Sequence, residues 1–177
     1  EPTKKKSSKK LQEELEIALT KINNGQLTTL TATGRTDKGV HALSQYGHCD
    51  INVNINEKKL KRALNSNLPD DIHVIETKEV DDSFHARYNV KSKEYKYYLN
   101  TGEYNPLERN YVFQYCYNLN IEAMKEAIKY FVGKHDFRAF MTDNKEKENC
   151  VREVYSATIE QENDKIIFTF RGNGFLR

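Results

Sequence analysis

The chain has 177 residues, of which 37% are hydrophobic and 31% charged, with a formal net charge of +2; this length fits one domain or two small ones that bury roughly 70% of their unfolded surface. No apolar run approaches the roughly 20 residues of a membrane-crossing helix, and the basic opening, Glu1 to Lys10, lacks the apolar stretch of a secretion signal, so an intracellular, cytoplasmic chain is expected. The molecule as a whole is not a polycation, so binding to nucleic acid would need a local basic surface.

In chain order, Leu11, Leu15, Ala18, Leu19 and Ile22 fall on one helical face after Ser7-Ser8, which can cap the start, and Asn23-Asn24-Gly25 ends the helix. Residues 26–33 read as a strand and residues 45–53 as its return. A second helix is expected over residues 56–64, with Asn56 as cap and Leu60, Ala63 and Leu64 inward, ahead of a loop at Pro69. Residues 72–80 read as a strand. Over residues 88–100 Tyr95, Tyr97 and Leu99 alternate with Glu94, Lys96 and Tyr98, which predicts a strand with two distinct faces. After Asn105-Pro106 a strand is expected over residues 111–117. Asn120 then caps a helix that groups Ile121, Met124, Ala127, Ile128 and Phe131 before Gly133 stops it. Residues 151–160 and 165–171 form a hairpin across Glu162-Asn163-Asp164. Helices interspersed with strands on short turns indicate α+β, with helices packed on one face of a mostly antiparallel sheet.

Cys49, Cys116 and Cys150 are odd in number and widely spaced, which argues for reduced thiols rather than a disulfide framework. The five histidines are scattered, and His48-Cys49 has no second ligand pair, so no metal site is expected.

The stretch with most chemical content is Thr33-Gly34-Arg35-Thr36-Asp37-Lys38-Gly39-Val40-His41-Ala42-Leu43, which places a carboxylate beside a cation in a glycine-bounded turn directly after a strand. Gly34 and Gly39 permit positive φ and let a bulky substrate approach the main chain. Arg35 can keep Asp37 ionised or reach forward to a substrate. A phosphate-binding P-loop is excluded, because Val40-His41 stands where that motif needs Lys followed by Ser or Thr. From residue types alone a solvent-exposed turn remains an equal alternative.

Gly34-Arg35-Thr36-Asp37-Lys38-Gly39-Val40-His41-Ala42 resembles the active-site signature of the TruA-type tRNA pseudouridine synthases, Gly-Arg-Thr-Asp-x-Gly-Val-His-Ala. Further matches follow in the family's order: Leu64-Asn65-Ser66-Asn67-Leu68-Pro69 with Asp70-Asp71-Ile72, Phe84-His85-Ala86-Arg87, Lys93-Glu94-Tyr95-Lys96-Tyr97, His135-Asp136-Phe137 with Phe140, and Gly172-Asn173-Gly174-Phe175-Leu176. Two features depart from the pattern. The family's opening strand with a Tyr-Asp-Gly-like motif is replaced by Glu1 to Lys10. The chain also ends at Arg177, where the family continues into a Met-Val-Arg segment with its second active-site arginine. A chain truncated at both ends is therefore expected.

The resemblance implies two ferredoxin-like halves sharing one sheet with the active cleft between them: an N-terminal catalytic half, residues 1–87, and an incomplete C-terminal half, residues 88–177. It implies isomerisation of uridine to pseudouridine in the anticodon stem-loop of tRNA, positions 38–40, without a cofactor and as a homodimer. Asp37 would be the carboxylate, acting by covalent attack or by proton abstraction, which residue identity does not separate. Arg35 would pair with it or fill the space left by the extruded base. Tyr95 would stack on the target base, while Tyr97, on the same face, reads better as a core residue. Arg87 would hold phosphate or support the cleft, and His41 would brace the turn by hydrogen bonding. The lysines of residues 4–10 are a solvated tail or an RNA grip. The rival reading is a non-catalytic RNA-binding module of the same fold.

Overall fold

The computed structural model describes residues 11–37, 39–141 and 149–176. It is a mixed α+β structure that divides into two compact units, one of residues 11–37 and 42–89 and one of the described residues of 39–41 and 90–176. The Ser7-Ser8 cap and the basic tail lie outside the described residues.

In the first unit α1, Leu11–Ile22, packs on α2, Glu57–Asn65. Their apolar stripes meet at Ala18, Leu19 and Leu64, all at most 5% exposed. Asn56 caps α2 as expected, its side-chain oxygen accepting the Lys59 N–H at 2.9 Å. After α1 the chain reverses through Asn24 and Gly25, both with positive φ. The unit's ladder is short: β1, Thr31–Ala32, pairs antiparallel with β2, Gly47–His48.

The strands expected over residues 26–33, 45–53 and 72–80 shrink or vanish because helix side chains take the backbone groups that a neighbouring strand would have paired. The N–H of Thr28 donates to Thr20 Oγ1 at 3.1 Å, and that of Asn52 to Asn23 Oδ1 at 2.8 Å. Asn65 mimics a strand partner, its Oδ1 accepting the Val74 N–H at 2.7 Å while its Nδ2 donates to the Val74 carbonyl at 3.0 Å. Glu57 Oε1 accepts the Glu79 N–H at 3.0 Å in the same way, and the Glu57 carbonyl accepts the Thr77 hydroxyl at 2.6 Å. These backbone groups are satisfied by side chains, so the ladder stops at the two pairs of β1 and β2.

The second unit is a five-stranded sheet of order β4-β3-β7-β6-β5. Its strands are β3, Lys93–Asn100, β4, Phe113–Gln114, β5, Gly133–Asp136, β6, Val151–Glu162, and β7, Lys165–Gly172. All neighbours are antiparallel except β3 and β4, which are parallel. The expected hairpin is present, with Asn163 at φ 55° in its turn. Asn120 caps α3, Ile121–Ile128, which lies against β6. The core beneath it is Leu99, Ile128, Ile159 and Ile166, the last fully buried.

Two further expectations are corrected. The helix ends before Gly133, passing into a 3-10 turn over Lys129–Phe131, and Gly133 instead opens β5 by pairing with Val154. Tyr97 is not core: it is 54% exposed and touches the rings of Phe113 and Phe168, because the α3 contact falls on β6 and leaves β3 partly open. Among the described residues the strands group into a two-stranded and a five-stranded ladder.

Ile166→Ala removes the most buried large side chain of the second unit and should cost about 2–5 kcal/mol. Chemical denaturation checks it; a loss under about 1 kcal/mol would show that this core repacks freely.

Candidate active site

The Asp37 loop is built from its two ends inward. The β1–β2 ladder is extended by the Thr33 N–H to the Tyr46 carbonyl at 2.9 Å, and Gln45 Nε2 donates to the Gly34 carbonyl at 2.8 Å. These bonds close the loop's mouth and leave Asp37 exposed. Positive φ falls at Gly39, φ +89°, with open space where a Cβ would stand. Gly34 is not among the positive-φ glycines, so the freedom expected there is not used. Behind the loop, α1 grips the residue before β1: Glu16 Oε1 accepts the Leu30 N–H at 2.9 Å, and Gln12 Nε2 donates to the Leu30 carbonyl at 2.9 Å and to Glu16 at 2.8 Å. The Leu30 amide, and after it the Gln12 amide, hold the Glu16 carboxyl below the usual carboxylate range, against a smaller opposing effect of burial.

Arg35 and Arg87 line one open pocket of about 300 Å³, together with Gln12, Gly34, His85, Tyr88 and residues 30–32. No carboxylate is among these residues, so the lining is suited to an anion such as a phosphate. Arg87 is presented by a turn in which Tyr88 and Asn89 N–H groups donate to the His85 carbonyl and the His85 N–H donates to Asn89 Oδ1 at 2.6 Å. This turn is tied to β2 by His48, whose Nδ1 accepts the Ala86 N–H at 3.1 Å. Ala86 is 2% exposed, and a buried backbone donor without an acceptor costs about 1–3 kcal/mol. Cys49, next to His48, has its thiol pushed up by burial and then by Asp50, and so stays protonated.

His41 groups with the second unit and packs its ring on Tyr111 at 4.6 Å, so the support it gives is aromatic contact. Tyr95 stands on β3, 40% exposed, opposite Phe170. Phe175 meets it edge-on at 5.1 Å and 86°. The segment that delivers Phe175 explains its own composition. A Cβ at Gly172 would come 2.6 Å from the Glu153 carbonyl oxygen, and Asn173 exchanges two 3.0 Å bonds with the Glu153 backbone. Tyr95 thus stays part-exposed beside a defined aromatic contact.

A family model described as tRNA pseudouridine synthase matches residues 1–89 and 127–177. The chain is also 45% identical over 166 residues to tRNA pseudouridine synthase A of Anoxybacillus flavithermus, covering 94% of this chain and 68% of the relative. The chain belongs to the tRNA pseudouridine synthase family. Other members are similar to the same degree: tRNA pseudouridine synthase A of Thermoanaerobacter sp. strain X514 is 45% identical over 172 residues, 97% of this chain and 70% of the relative. A tRNA pseudouridine synthase A 1 of Bacillus cereus is 42% identical over 167 residues, 94% and 68% of the two chains. Enzymes of this family are isomerases that convert uridine to pseudouridine.

Of the residues singled out by sequence, Arg35 and Arg87 are brought together and Asp37 stands on the adjoining loop, outside the lining of their pocket. Gln12 and Tyr88 were not singled out, His85 and Phe175 appeared only as members of motifs, and His48 only as a rejected metal ligand. Gln12 left a trace as the partner of Glu16 four residues on along α1.

Because the Glu16 carboxyl is held low in the folded protein, its contribution is complete above the ordinary carboxylate value, about 4.3, and is lost as pH falls through the depressed value. The gap in Tm between the parent and Glu16→Ala should therefore be constant near neutrality and narrow in acid. A gap that does not change with pH would show that the ionised carboxylate is not what grips Leu30.

Proposed function

We propose that the protein isomerises uridine to pseudouridine in the anticodon stem-loop of tRNA, positions 38–40, with Asp37 as the reacting carboxylate. The carrying observation is that Asp37 stands exposed in the Gly-Arg-Thr-Asp-x-Gly-Val-His-Ala loop of a chain that belongs to this family, on a loop closed at its mouth by one backbone bond and one bond from the Gln45 side chain. The reaction breaks the bond from uracil N1 to ribose C1′, turns the base and joins C5 to C1′. C5 then loses its proton and N1 gains one. No electrons are gained or lost, so the chemistry calls for no redox partner. A carboxylate can begin it by adding covalently or by taking a proton, and both routes need Asp37 ionised and next to the nucleoside.

The other roles follow from chemistry. Reaching a stacked uridine requires extruding it, at a few kcal/mol, and an aromatic face recovers about 1–3 kcal/mol per base. Tyr95 supplies that face. Arg35 and Arg87 bind the RNA backbone, or Arg35 occupies the place the base leaves; the carboxylate-free lining of their pocket supports an anionic partner. In this reading residues 1–87 are the catalytic ferredoxin-like half and residues 88–177 the half that offers Tyr95. The enzyme acts in the cytoplasm as a homodimer.

Asp37→Asn should lower single-turnover conversion of unmodified tRNA by about a hundred- to ten-thousandfold while leaving tRNA affinity nearly unchanged. Retention of activity within about tenfold of the parent contradicts the assignment. Tyr95→Phe keeps the ring and should convert tRNA at close to the parental rate. Tyr95→Leu should lose about ten- to a hundredfold with its thermal melt unchanged. A folded Leu variant as fast as the parent would remove Tyr95 from the site.

A further inference from the structure

The first unit holds a histidine that none of the proposed chemistry uses. His48 is the last residue of β2 and is paired by the ladder with Thr31, itself part of the arginine pocket's lining. Its Nδ1 accepts the Ala86 N–H at 3.1 Å, and its ring packs on His85 at 4.8 Å and on Phe84 at 6.1 Å. A backbone amide can only donate, so Nδ1 is the unprotonated nitrogen. One residue further, His85 Nδ1 accepts the Arg87 N–H at 3.2 Å while its ring stacks on Tyr88 at 4.2 Å. Two imidazoles thus hold successive amides of the turn, those of Ala86 and Arg87, and His48 connects that turn to the strand pair beneath the Asp37 loop.

We propose that His48 is a positioning residue for the tRNA reaction: through the Ala86 amide it fixes the turn that presents Arg87, and so sets the arginine pocket from the same strand pair that closes the Asp37 loop. The proposal rests on the reading of Arg87 as an RNA-binding residue. His48 touches no reacting atom, so its loss acts on how tRNA is held rather than on the chemical step.

The test uses the full-length protein and an unmodified tRNA transcript. His48→Leu fills much of the ring's volume without an acceptor, whereas His48→Asn places Oδ1 near the Nδ1 position. The Leu variant should raise KM about three- to tenfold with kcat within about twofold, and the Asn variant should restore KM. In an Arg87→Ala background His48→Leu should add nothing further. If the Leu variant fails to fold, His48→Gln, whose carbonyl oxygen reaches beyond the Nδ1 position, replaces it with the same expectations. Additive effects of the two substitutions, an Asn variant as impaired as Leu, or a loss confined to kcat each overturn the link to Arg87 alone. A parental KM in Arg87→Ala overturns the proposal together with the reading of Arg87.

Discussion

In the first unit, side chains do much of the hydrogen bonding that strands usually do for one another. Leu30 is held at both its N–H and its carbonyl by Glu16 and Gln12, Val74 at both by Asn65, Asn52 by Asn23 and Ala86 by His48. An unpaired buried backbone group is too costly to keep, so these carboxamides, one carboxylate and one imidazole decide where the extended segments run. The Asp37 loop inherits its position from that arrangement. Two residue pairs of ladder and the Thr33–Tyr46 bond hold its base, and the α1 grip on Leu30 reinforces that short support.

The second unit solves the same problem with a ladder. Eight register pairs join β3 to β7, so the place of Tyr95 follows from strand pairing. What it adds is a fixed aromatic neighbour. The tight approach at Gly172 and the two bonds of Asn173 bring Phe175 against the Tyr95 ring, which limits the ring's rotation and leaves part of it exposed.

The three helices were legible because their signals are local: an apolar stripe of period 3.6 and, for two of them, an asparagine cap. Strand extents were not. Residues 72–80 carry the alternation of a strand, but their partners are the side chains of Asn65 and Glu57, and nothing in the segment announces that. The converse holds for β5, where Gly-Lys-His-Asp has no strand pattern and becomes one by pairing with β6. Tyr97 was misread because alternation assigns a face and not the depth of what covers it. Asp37, Arg35, Arg87 and Tyr95 could be named because contiguous motifs carry them. The contacts of their supports, His48 with Ala86 and Phe175 with Tyr95, span tens of residues, and although Phe175 stands in the Gly172-Asn173-Gly174-Phe175-Leu176 motif, nothing in the chain announces which residue it meets.

The central claim is that this scaffold carries out uridine isomerisation on tRNA. The most direct measurement is position-resolved mapping of pseudouridine in an unmodified tRNA transcript after incubation with the full-length protein. The account predicts new pseudouridine within the anticodon stem-loop and none elsewhere. Binding of the transcript with no pseudouridine formed, or conversion confined to sites outside that stem-loop, would contradict it.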